Sequence, residues 1–480
     1  MKRIVFFLLL AFVGQLAAQQ AVLSKGLESK HVDSYNLSNG KHLGTHDGLD
    51  CWVFEGKKHI KHVVLTDQNL ETLHVVDLPK SNNAEVIAAT MDNRCAAVLL
   101  ADRSVKRQTS VVAYRVNLDS LVVFPVDSLE LFTYNKKDQC FVWASTSPNG
   151  HLTALVSIVR LTESMQYRTH IMLLDASMQP LWEKEFALGS MHDMMVTNEG
   201  RIVTLGLETG EEGDTRFIFN ILSQYKADSY AAVVRCDPVK ELQLAAVNGS
   251  HAIAMGTFLT EDGKSTGGVL AMSFNIDSAV LSNFLLRPFM NEDVNIFYNK
   301  PTKKVQREQR ADHVRTLACV PTSYGAVMVA GRAFRTESAE SNGTLTAVSY
   351  ASGLHCLAVD NNGNLLWVKN IRRSDMQKKG EDLLAISLLT DGSKVFIVKS
   401  EHPKLPQGYE ISKEAKTYEV GNKSNLVIYT LNPDGEVQKL LVDAKAKHSH
   451  LRSIRRPDGS FALFTANGNK VRLAQLKFLQ

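Results

Sequence analysis

The chain has 480 residues, with 54 Lys and Arg against 50 Asp and Glu, so its formal net charge is only +4. So small an excess at this length gives no indication of a nucleic-acid partner. Hydrophobic residues make up 44% of the chain and aromatic residues 8%, as in an ordinary globular protein. Length alone suggests about three domains, but a repeat along the chain favours a single domain over residues 19–480.

The first eighteen residues are predicted to be a signal peptide. Lys2 and Arg3 precede an apolar stretch, residues 4–13, which is shorter than the ~20 residues needed to span a bilayer. Residues 16–18 then offer a cleavage site, and a retained signal anchor is the alternative. No cysteine occurs before Cys51, so lipid attachment at a new N-terminus is not expected. The protein is expected to be exported, to the periplasm or beyond, with no membrane span in the mature chain.

Six cysteines are spread along the chain, with no CxxC pair or His-rich cluster beside them. A zinc site is therefore not expected, and no other metal or cofactor is predicted. Export would permit disulfides. Several cysteines, including Cys140, Cys319 and Cys356, lie inside apolar runs, which favours small buried thiols over disulfide pairing.

The strands are predicted from runs of five to nine residues rich in Val, Ile, Leu, Phe and Ala, each ended by Asn-Gly, Asp-Gly or a similar turn pair. Such pairs supply the positive φ that tight hairpins need. The runs group in fours, and each group predicts one four-stranded antiparallel unit. In chain order, the clearest units occupy residues 85–127, 139–188, 193–236, 242–286, 314–371 and 382–442.

One sequence motif, called the repeated phrase below, occurs in two of these units. An apolar run ends in Asp175 or Asp360, and a tryptophan follows seven residues later, at Trp182 or Trp367. The phrase predicts the same hairpin, between the third and fourth strands, in both units. We expect the two tryptophans to pack between neighbouring units, with ligand binding as the alternative.

The two ends of the chain are incomplete as units. Residues 450–478 offer three strands, and a short spare run, residues 34–38, precedes the first unit. An N-terminal strand that completed the last unit would close a ring and hide two sheet edges. We favour eight units, which counts residues 41–80 as one; seven is the alternative, if that segment is absorbed into closing the ring.

This pattern of repeated four-stranded units resembles that of β-propellers with quinoprotein-like or WD-like blades. The predicted fold is therefore all-β: a β-propeller of four-stranded antiparallel blades, closed by an N-terminal strand. The short basic start and the Gln19-Gln20 pair resemble exported proteins of Gram-negative bacteria, Bacteroidetes in particular.

The two faces of such a ring are predicted to differ. The tight turns join first to second and third to fourth strands, on one face. The long segments join second to third strands or successive blades, on the other, which we call the long-loop face. Long loops on a rigid scaffold commonly carry binding sites. These segments are residues 287–313, 335–352, 372–381, 401–424 and 443–449.

Polar residues recur at the start of the innermost strands, where they would surround the mouth of the central channel. One interpretation is that they cap strand ends and bond the backbone of the neighbouring blade. The other is a mouth of carboxylates and imidazoles that holds a cation or polar ligand, or performs acid–base chemistry. The candidate residues are Asp138, His192, Asp193, Glu241, Asp312, His313 and Asp382.

A basic cluster lies in the longest insert, 287–313. As a functional site it would offer its cations to an anionic partner; the alternative is a solvated loop. Its residues are Lys303, Lys304, Arg307 and Arg310.

No catalytic residue is predicted, because the chain has no GxSxG elbow, P-loop, HExxH or DxDxDG calcium loop. The expected function is that of a monomeric, non-catalytic binding or scaffold propeller of the bacterial cell envelope, with an envelope protein or a glycan as partner. The alternative is a hydrolase or lyase that acts on a glycan or peptide through acids at the channel mouth.

Overall fold

A computed structural model describes most of the chain; the predicted signal peptide, residues 1–18, lies outside the described residues. The described residues are 21–23, 35–56, 59–81, 83–92, 94–126, 129–133, 139–161, 166–186, 191–209, 214–234, 236, 238–248, 250–298, 311–339, 345–378, 386–405, 418–420, 424–444, 446, 449–456, 459–467 and 470–478.

Eight antiparallel sheets, blades 1 to 8, follow one another along the chain. Blade 1 contains β2 (Tyr35–His46), β3 (Leu49–Gly56), β4 (Lys61–Thr66) and β5 (Thr72–Asp77). Blade 2 contains β6 (Ala84–Asp92), β7 (Cys95–Asp102), β8 (Gln108–Asn117), β9 (Val123–Pro125) and β10 (Glu130–Thr133). Blade 3 contains β11 (Gln139–Thr146), β12 (Leu152–Leu161), β13 (Gln166–Asp175) and β14 (Pro180–Phe186). Blade 4 contains β15 (Asp193–Val196), β16 (Ile202–Thr209), β17 (Thr215–Leu222) and β18 (Ala227–Val234).

The second half of the ring includes the two longest hairpins. Blade 5 contains β19 (Val239–Asn248), β20 (His251–Leu259), β21 (Thr266–Asn275) and β22 (Val280–Pro288), and helix α1 (Asn291–Tyr298) follows it. Blade 6 contains β23 (Val314–Thr322), β24 (Gly325–Ala339), β25 (Leu345–Asp360) and β26 (Leu365–Lys378), with β29 (Tyr418–Glu419) parallel to β26. Blade 7 contains β27 (Ile386–Thr390), β28 (Val395–Glu401), β30 (Asn425–Leu431) and β31 (Val437–Asp443). Blade 8 contains β32 (Ser449–Arg455), β33 (Phe461–Asn467), β34 (Lys470–Phe478) and β1 (Ala21–Leu23).

The first strand of each blade contacts the first strands of both neighbouring blades, from β2 through β32 and back to β2. These eight strands therefore surround the central axis, and the protein is an eight-bladed β-propeller. The all-β, four-stranded antiparallel prediction is confirmed. The segment 41–80 belongs to blade 1 and is not absorbed into closing the ring. The seven-bladed alternative is therefore wrong.

An N-terminal strand closes the ring, as predicted, but its position was predicted wrongly. Strand β1 pairs antiparallel with β34, so that Val22 lies opposite Lys477. The run at 34–38, expected to close the ring, instead begins β2, which continues past a register shift between Asn36 and Lys41. A spare apolar run and the start of a bulged strand look alike in sequence, and only the pairing distinguishes them.

A buried ion pair joins the last blade to the first. Arg456 of blade 8 pairs with Asp50 of blade 1, and both side chains are almost fully buried. Asp50 also accepts hydrogen bonds from Thr45 (2.8 Å) and interacts with His42 (3.1 Å). Burial alone would raise the pKa of Asp50, but these hydrogen bonds and the Arg456 charge outweigh it and lower that pKa.

The hydrophobic core lies in the seams between consecutive blades. At the seam between blades 6 and 7, for example, Val327 and Val329 pack with Ile397 and Val427. The middle strands are buried on both faces, and residues 266–274 of β21 are all buried. Burial on both faces explains why these strands appear in the sequence as continuous apolar runs rather than as alternating patterns.

All six cysteines are free, in line with the preference for thiols over disulfides, but Cys140 and Cys319 are only partly buried. Cys51 and Cys356 are fully buried. Burial raises the pKa of each of these two thiols to about 12.

Two segments predicted as long loops contain strand instead. Within 335–352, β24 runs on to Ala339 and β25 begins at Leu345; within 372–381, β26 runs on to Lys378. Both segments are polar and lack the apolar runs by which the other strands were identified. Helix α1 in the insert 287–313 was also not predicted. It packs against Gly353 (φ 59°), where a Cβ would lie 2.7 Å from the Ile296 carbonyl oxygen.

No helix in the described part of the chain is long and apolar enough to cross a bilayer.

Candidate functional site

The long-loop face is most elaborate at blade 6. Strands β24 and β25 stay paired out to Ala339 and Leu345, whereas β23 begins only at Val314, opposite Arg332. The outer half of this hairpin therefore extends beyond β23, the innermost strand, while β26 stays paired with β25 as far as Val348, opposite Lys378. Helix α1 packs against β25 and β26 at the base of this extension.

Arg332 lies at that base, between two aromatic rings. Its guanidinium carbon is 4.5 Å from the ring centre of Tyr298 and 4.3 Å from that of Phe334. The Nε–H donates to the carbonyl oxygen of Asp312 (3.1 Å). Phe334 stacks on Tyr350 across the hairpin, with ring centres 5.0 Å apart. We call this group, Tyr298, Asp312, Arg332, Phe334 and Tyr350, the blade 6 cluster.

Asp312 and His313, two of the predicted mouth residues, belong to this region. The carboxylate of Asp312 accepts hydrogen bonds from the Ser265 hydroxyl (2.6 Å) and the Tyr298 hydroxyl (3.3 Å). His313 is exposed, adopts a left-handed backbone (φ 59°) and stacks on Phe334 at 5.7 Å. Positive φ is uncommon for a residue with a side chain, and such strain occurs often at binding sites.

Asp193 and Glu241 make the contacts expected of residues that bind the neighbouring blade. Asp193 accepts from its neighbour Met194 (2.8 Å) and from the backbone N–H of Leu244 in the next blade (2.7 Å). Glu241 accepts from the backbone N–H of Thr316, again in the next blade (2.6 Å). Burial raises the pKa of Asp193, against the effect of its two backbone hydrogen bonds.

His192 is not brought into this group. The side chain of His192 is exposed, and its backbone N–H donates to the Leu205 carbonyl (2.7 Å). The following predicted residues lie outside the described residues: Asp138, Asp382, Lys303, Lys304, Arg307 and Arg310.

A buried polar cluster between blades 5 and 6 was not predicted. Asp293 of helix α1 accepts from Arg287 (2.8 Å) and Asn370 (2.8 Å) and lies 3.2 Å from Nδ1 of His355. Asp293 and His355 are almost fully buried. Burial would raise the pKa of Asp293, but the His355 interaction and the hydrogen bonds from Asn370 and Met290 hold it well below its usual range. Because Asp293 and His355 are buried and both engaged by neighbouring side chains, this cluster anchors the helix.

The innermost strand of blade 3 also carries two exposed aromatic side chains that sequence analysis missed. Phe141 and Trp143 are 42% and 41% exposed, and their rings stack at 5.7 Å. Val142, between them, is buried in the seam with blade 2. The alternation of Phe141, Val142 and Trp143 in the sequence is the signal that would have identified this pair.

Metal binding finds no support in the described parts of the chain, which contain no group of three His, Cys, Asp or Glu side chains able to hold an ion. What the blade 6 cluster offers chemically is a fixed, half-buried cation among aromatic rings. Its signal in the sequence is the alternation Arg332-Ala333-Phe334, which places the cation and the ring on one face of β24.

No protein-family model and no curated protein matches the chain. Among solved structures, the WD40 domain of SCAP from fission yeast matches 96% of this chain and 94% of its own length, with 10% identity and a TM-score of 0.37. The β-propeller domain of the Trilobed protease from Pyrococcus furiosus matches 83% and 98%, with 11% identity and a TM-score of 0.36. Prolyl oligopeptidase B from Galerina marginata matches 90% of this chain but only 55% of its own, with 8% identity and a TM-score of 0.40. The likeness is one of fold alone.

Proposed function

We propose that the protein is a non-catalytic binding or scaffold propeller of the bacterial cell envelope, which holds a partner or ligand on its long-loop face. The observation that carries the proposal is the hairpin of β24 and β25, which extends past the innermost strand of blade 6 with the blade 6 cluster at its base. Segments that extend from a rigid scaffold are the usual carriers of binding sites.

The hydrogen bonds of the mouth carboxylates support a structural role for them. Both oxygens of Asp193, and one oxygen of Glu241, accept backbone N–H groups. A carboxylate held in this way serves as a fixed acceptor between blades.

Export, the envelope location and the role of the basic cluster are parts of the same proposal and rest on sequence. The predicted signal peptide supports export, and the four cations within 301–310 would reach an anionic partner from the long-loop face. In the sequence this segment lies between Tyr298 and Asp312, two residues of the blade 6 cluster.

The test is a pull-down from envelope extract with the mature protein, with a variant lacking residues 301–310, and with a full-length variant in which only the charges of that segment are removed. Loss of one specific partner with both variants supports the proposal. Loss of the partner with the deletion but not with the charge-neutral variant assigns the contact to the shape of the insert and not to its charges. Identical eluates from all three proteins contradict a role for this segment. The charge-neutral variant combines Lys303→Gln, Lys304→Gln, Arg307→Gln and Arg310→Gln.

The alternative is a hydrolase or lyase that acts on a glycan or peptide through acids at the channel mouth. Burial raises the pKa of Asp193, as a general acid requires, but both of its oxygens accept backbone N–H groups, which favours the structural role. Turnover of a glycan or peptide library that disappears in Asp193→Asn, with the fold retained, would establish it. Turnover that survives this substitution would remove Asp193 from consideration.

A further inference from the structure

Arg332 is a half-buried cation without an ion-pair partner among the described residues. Its Nε–H is committed to the Asp312 carbonyl, and no carboxylate oxygen of a described residue lies within 4.0 Å of its guanidinium nitrogens. The nearest acid, Asp312, has both carboxylate oxygens engaged by Ser265 and Tyr298. Apart from an interaction with the Tyr298 hydroxyl, the terminal N–H groups of Arg332 have no partner among the described residues and can meet an external acceptor.

The orientation of this cation is fixed before any ligand arrives. Two aromatic rings lie 4.5 and 4.3 Å from its guanidinium carbon, and the Nε–H bond sets the remaining rotation. Burial lowers the pKa of Arg332, because the charge is partly removed from water. A planar guanidinium held in this way matches the two oxygens of a carboxylate, and little side-chain entropy remains to be lost on binding.

The surroundings of Arg332 distinguish between kinds of anionic partner. A polyanionic glycan or a nucleic acid repeats its charge at every unit and needs a row of cations. Here one guanidinium is flanked by Tyr298, Phe334 and Tyr350, with His313 stacked on Phe334. A neighbouring described lysine, Lys240, has its ammonium group committed to Thr266 and Val314. One carboxylate beside apolar side chains is what an acidic polypeptide segment presents.

We propose that Arg332 is an anchor for a Glu or Asp side chain of an acidic polypeptide partner, with Phe334 and Tyr350 contacting the apolar residues beside that acid. This inference rests on the proposed function and specifies the chemistry of its partner. It assigns the contact to the base of the blade 6 hairpin, and the basic segment 303–310 is not required for it.

The test is fluorescence anisotropy with the full mature chain and two fluorescein-labelled peptides, one of alternating Glu and Phe and one of alternating Gln and Phe. The wild-type protein is expected to bind the Glu peptide at least about tenfold more tightly than the Gln peptide. Arg332→Gln removes that preference. Arg332→Lys keeps the charge but not the planar fork, and it retains only part of the preference. Arg335→Gln is the matched control, because it removes an exposed arginine from the opposite face of the same strand.

Equal affinity for the two peptides, no measurable binding of either, or a preference that survives Arg332→Gln would overturn the inference. Polygalacturonate binding that depends on Arg332, without Glu-peptide binding, would assign the site to a glycan acid instead. Thermal melts accompany each variant, and if Arg332→Gln fails to fold, the comparison of Arg332→Lys with wild type carries the test. A partner lost from the envelope pull-down on deletion of 301–310 but retained by Arg332→Gln leaves the scaffold proposal standing without this site. Glu-peptide binding that depends on Arg332, together with identical pull-down eluates, would leave this site standing without the scaffold proposal.

Discussion

Glu241 of blade 5 accepts a hydrogen bond from the backbone N–H of Thr316 in blade 6, at 2.6 Å. Asp193 makes the same contact one seam earlier, to the N–H of Leu244. Between blades 7 and 8 the hydroxyl of Ser387 accepts from the Ser453 N–H at 2.7 Å. Neighbouring innermost strands belong to different sheets, so side-chain hydrogen bonds of this kind join strands that no ladder joins.

Replacing the acceptor at the Glu241 seam is expected to destabilise the ring. Glu241→Ala leaves the N–H of Thr316, a buried residue, without its acceptor, which costs about 1–3 kcal/mol in the free energy of unfolding. Glu241→Gln retains a side-chain oxygen and should lose less. Urea denaturation of the mature protein measures both changes.

Glu261→Ala serves as the control for this prediction, because Glu261 is exposed in the turn after β20. Its unfolding midpoint should match that of the wild type. If Glu241→Ala is as stable as Glu261→Ala, the hydrogen bond between blades contributes nothing measurable.

The blades could be predicted from sequence because their middle strands are buried on both faces and their turns need residues with positive φ. Both demands leave local signals, such as the apolar run that ends at Asp360 and the turn at Gly363 (φ 81°). The outer part of β24 and β25 leaves no such signal. Although Val348 and Ala351 are buried, this part has no continuous apolar run and includes several serines, so its sequence resembles a loop.

The candidate site was predicted only in part, for a related reason. The start of each innermost strand could be located, so Asp312 and His313 were found. Their partners Tyr298, Arg332 and Tyr350 come from a helix and two other strands, and this assembly depends on how the seam between blades 5 and 6 packs. The same holds for Asp293 and His355, which meet across that seam from distant parts of the chain.

The Asp293 cluster is expected to make stability depend on pH in the acid range. The folded-state pKa of Asp293 is held below the value of about 3.9 that an unfolded chain has. Its contribution is therefore fully present above about pH 4 and is lost as the pH falls towards the folded-state pKa. The difference in unfolding free energy between wild type and Asp293→Asn should shrink as the pH is lowered from 5 to about 2. A difference that does not change with pH would mean that the carboxylate is not stabilised in this way.

The two tryptophans of the repeated phrase are expected to contribute differently to the free energy of unfolding, Trp367 more than Trp182. Trp367 is only 8% exposed, and its indole N–H donates to the Pro433 carbonyl of blade 7 (3.0 Å). Trp182 is only partly buried, against the seam of blades 3 and 4. Trp367→Ala should cost about 3–5 kcal/mol, and Trp182→Ala roughly 1–2 kcal/mol. Equilibrium denaturation of the two variants, side by side, measures the difference; equal losses would contradict the packing of Trp367 into the seam.

The ring closure can be tested by cross-linking. Val22 and Lys477 are directly paired across β1 and β34. Paired Cα atoms in antiparallel strands lie about 4.5–5.5 Å apart, within the span of a disulfide. The double variant Val22→Cys with Lys477→Cys should therefore form a cross-link on mild oxidation, detected by mass spectrometry of tryptic peptides.

The control for the closure combines Val22→Cys with Arg472→Cys, on the same strand β34 but about 17 Å further along it, at ~3.4 Å per residue. No cross-link is expected there. Because the disulfide would join the ends of the ring, the Val22 and Lys477 variant should also unfold at a higher temperature when oxidised than when reduced. Equal cross-linking of the two double variants would show that the N-terminal strand does not hold the register with β34 that closes blade 8.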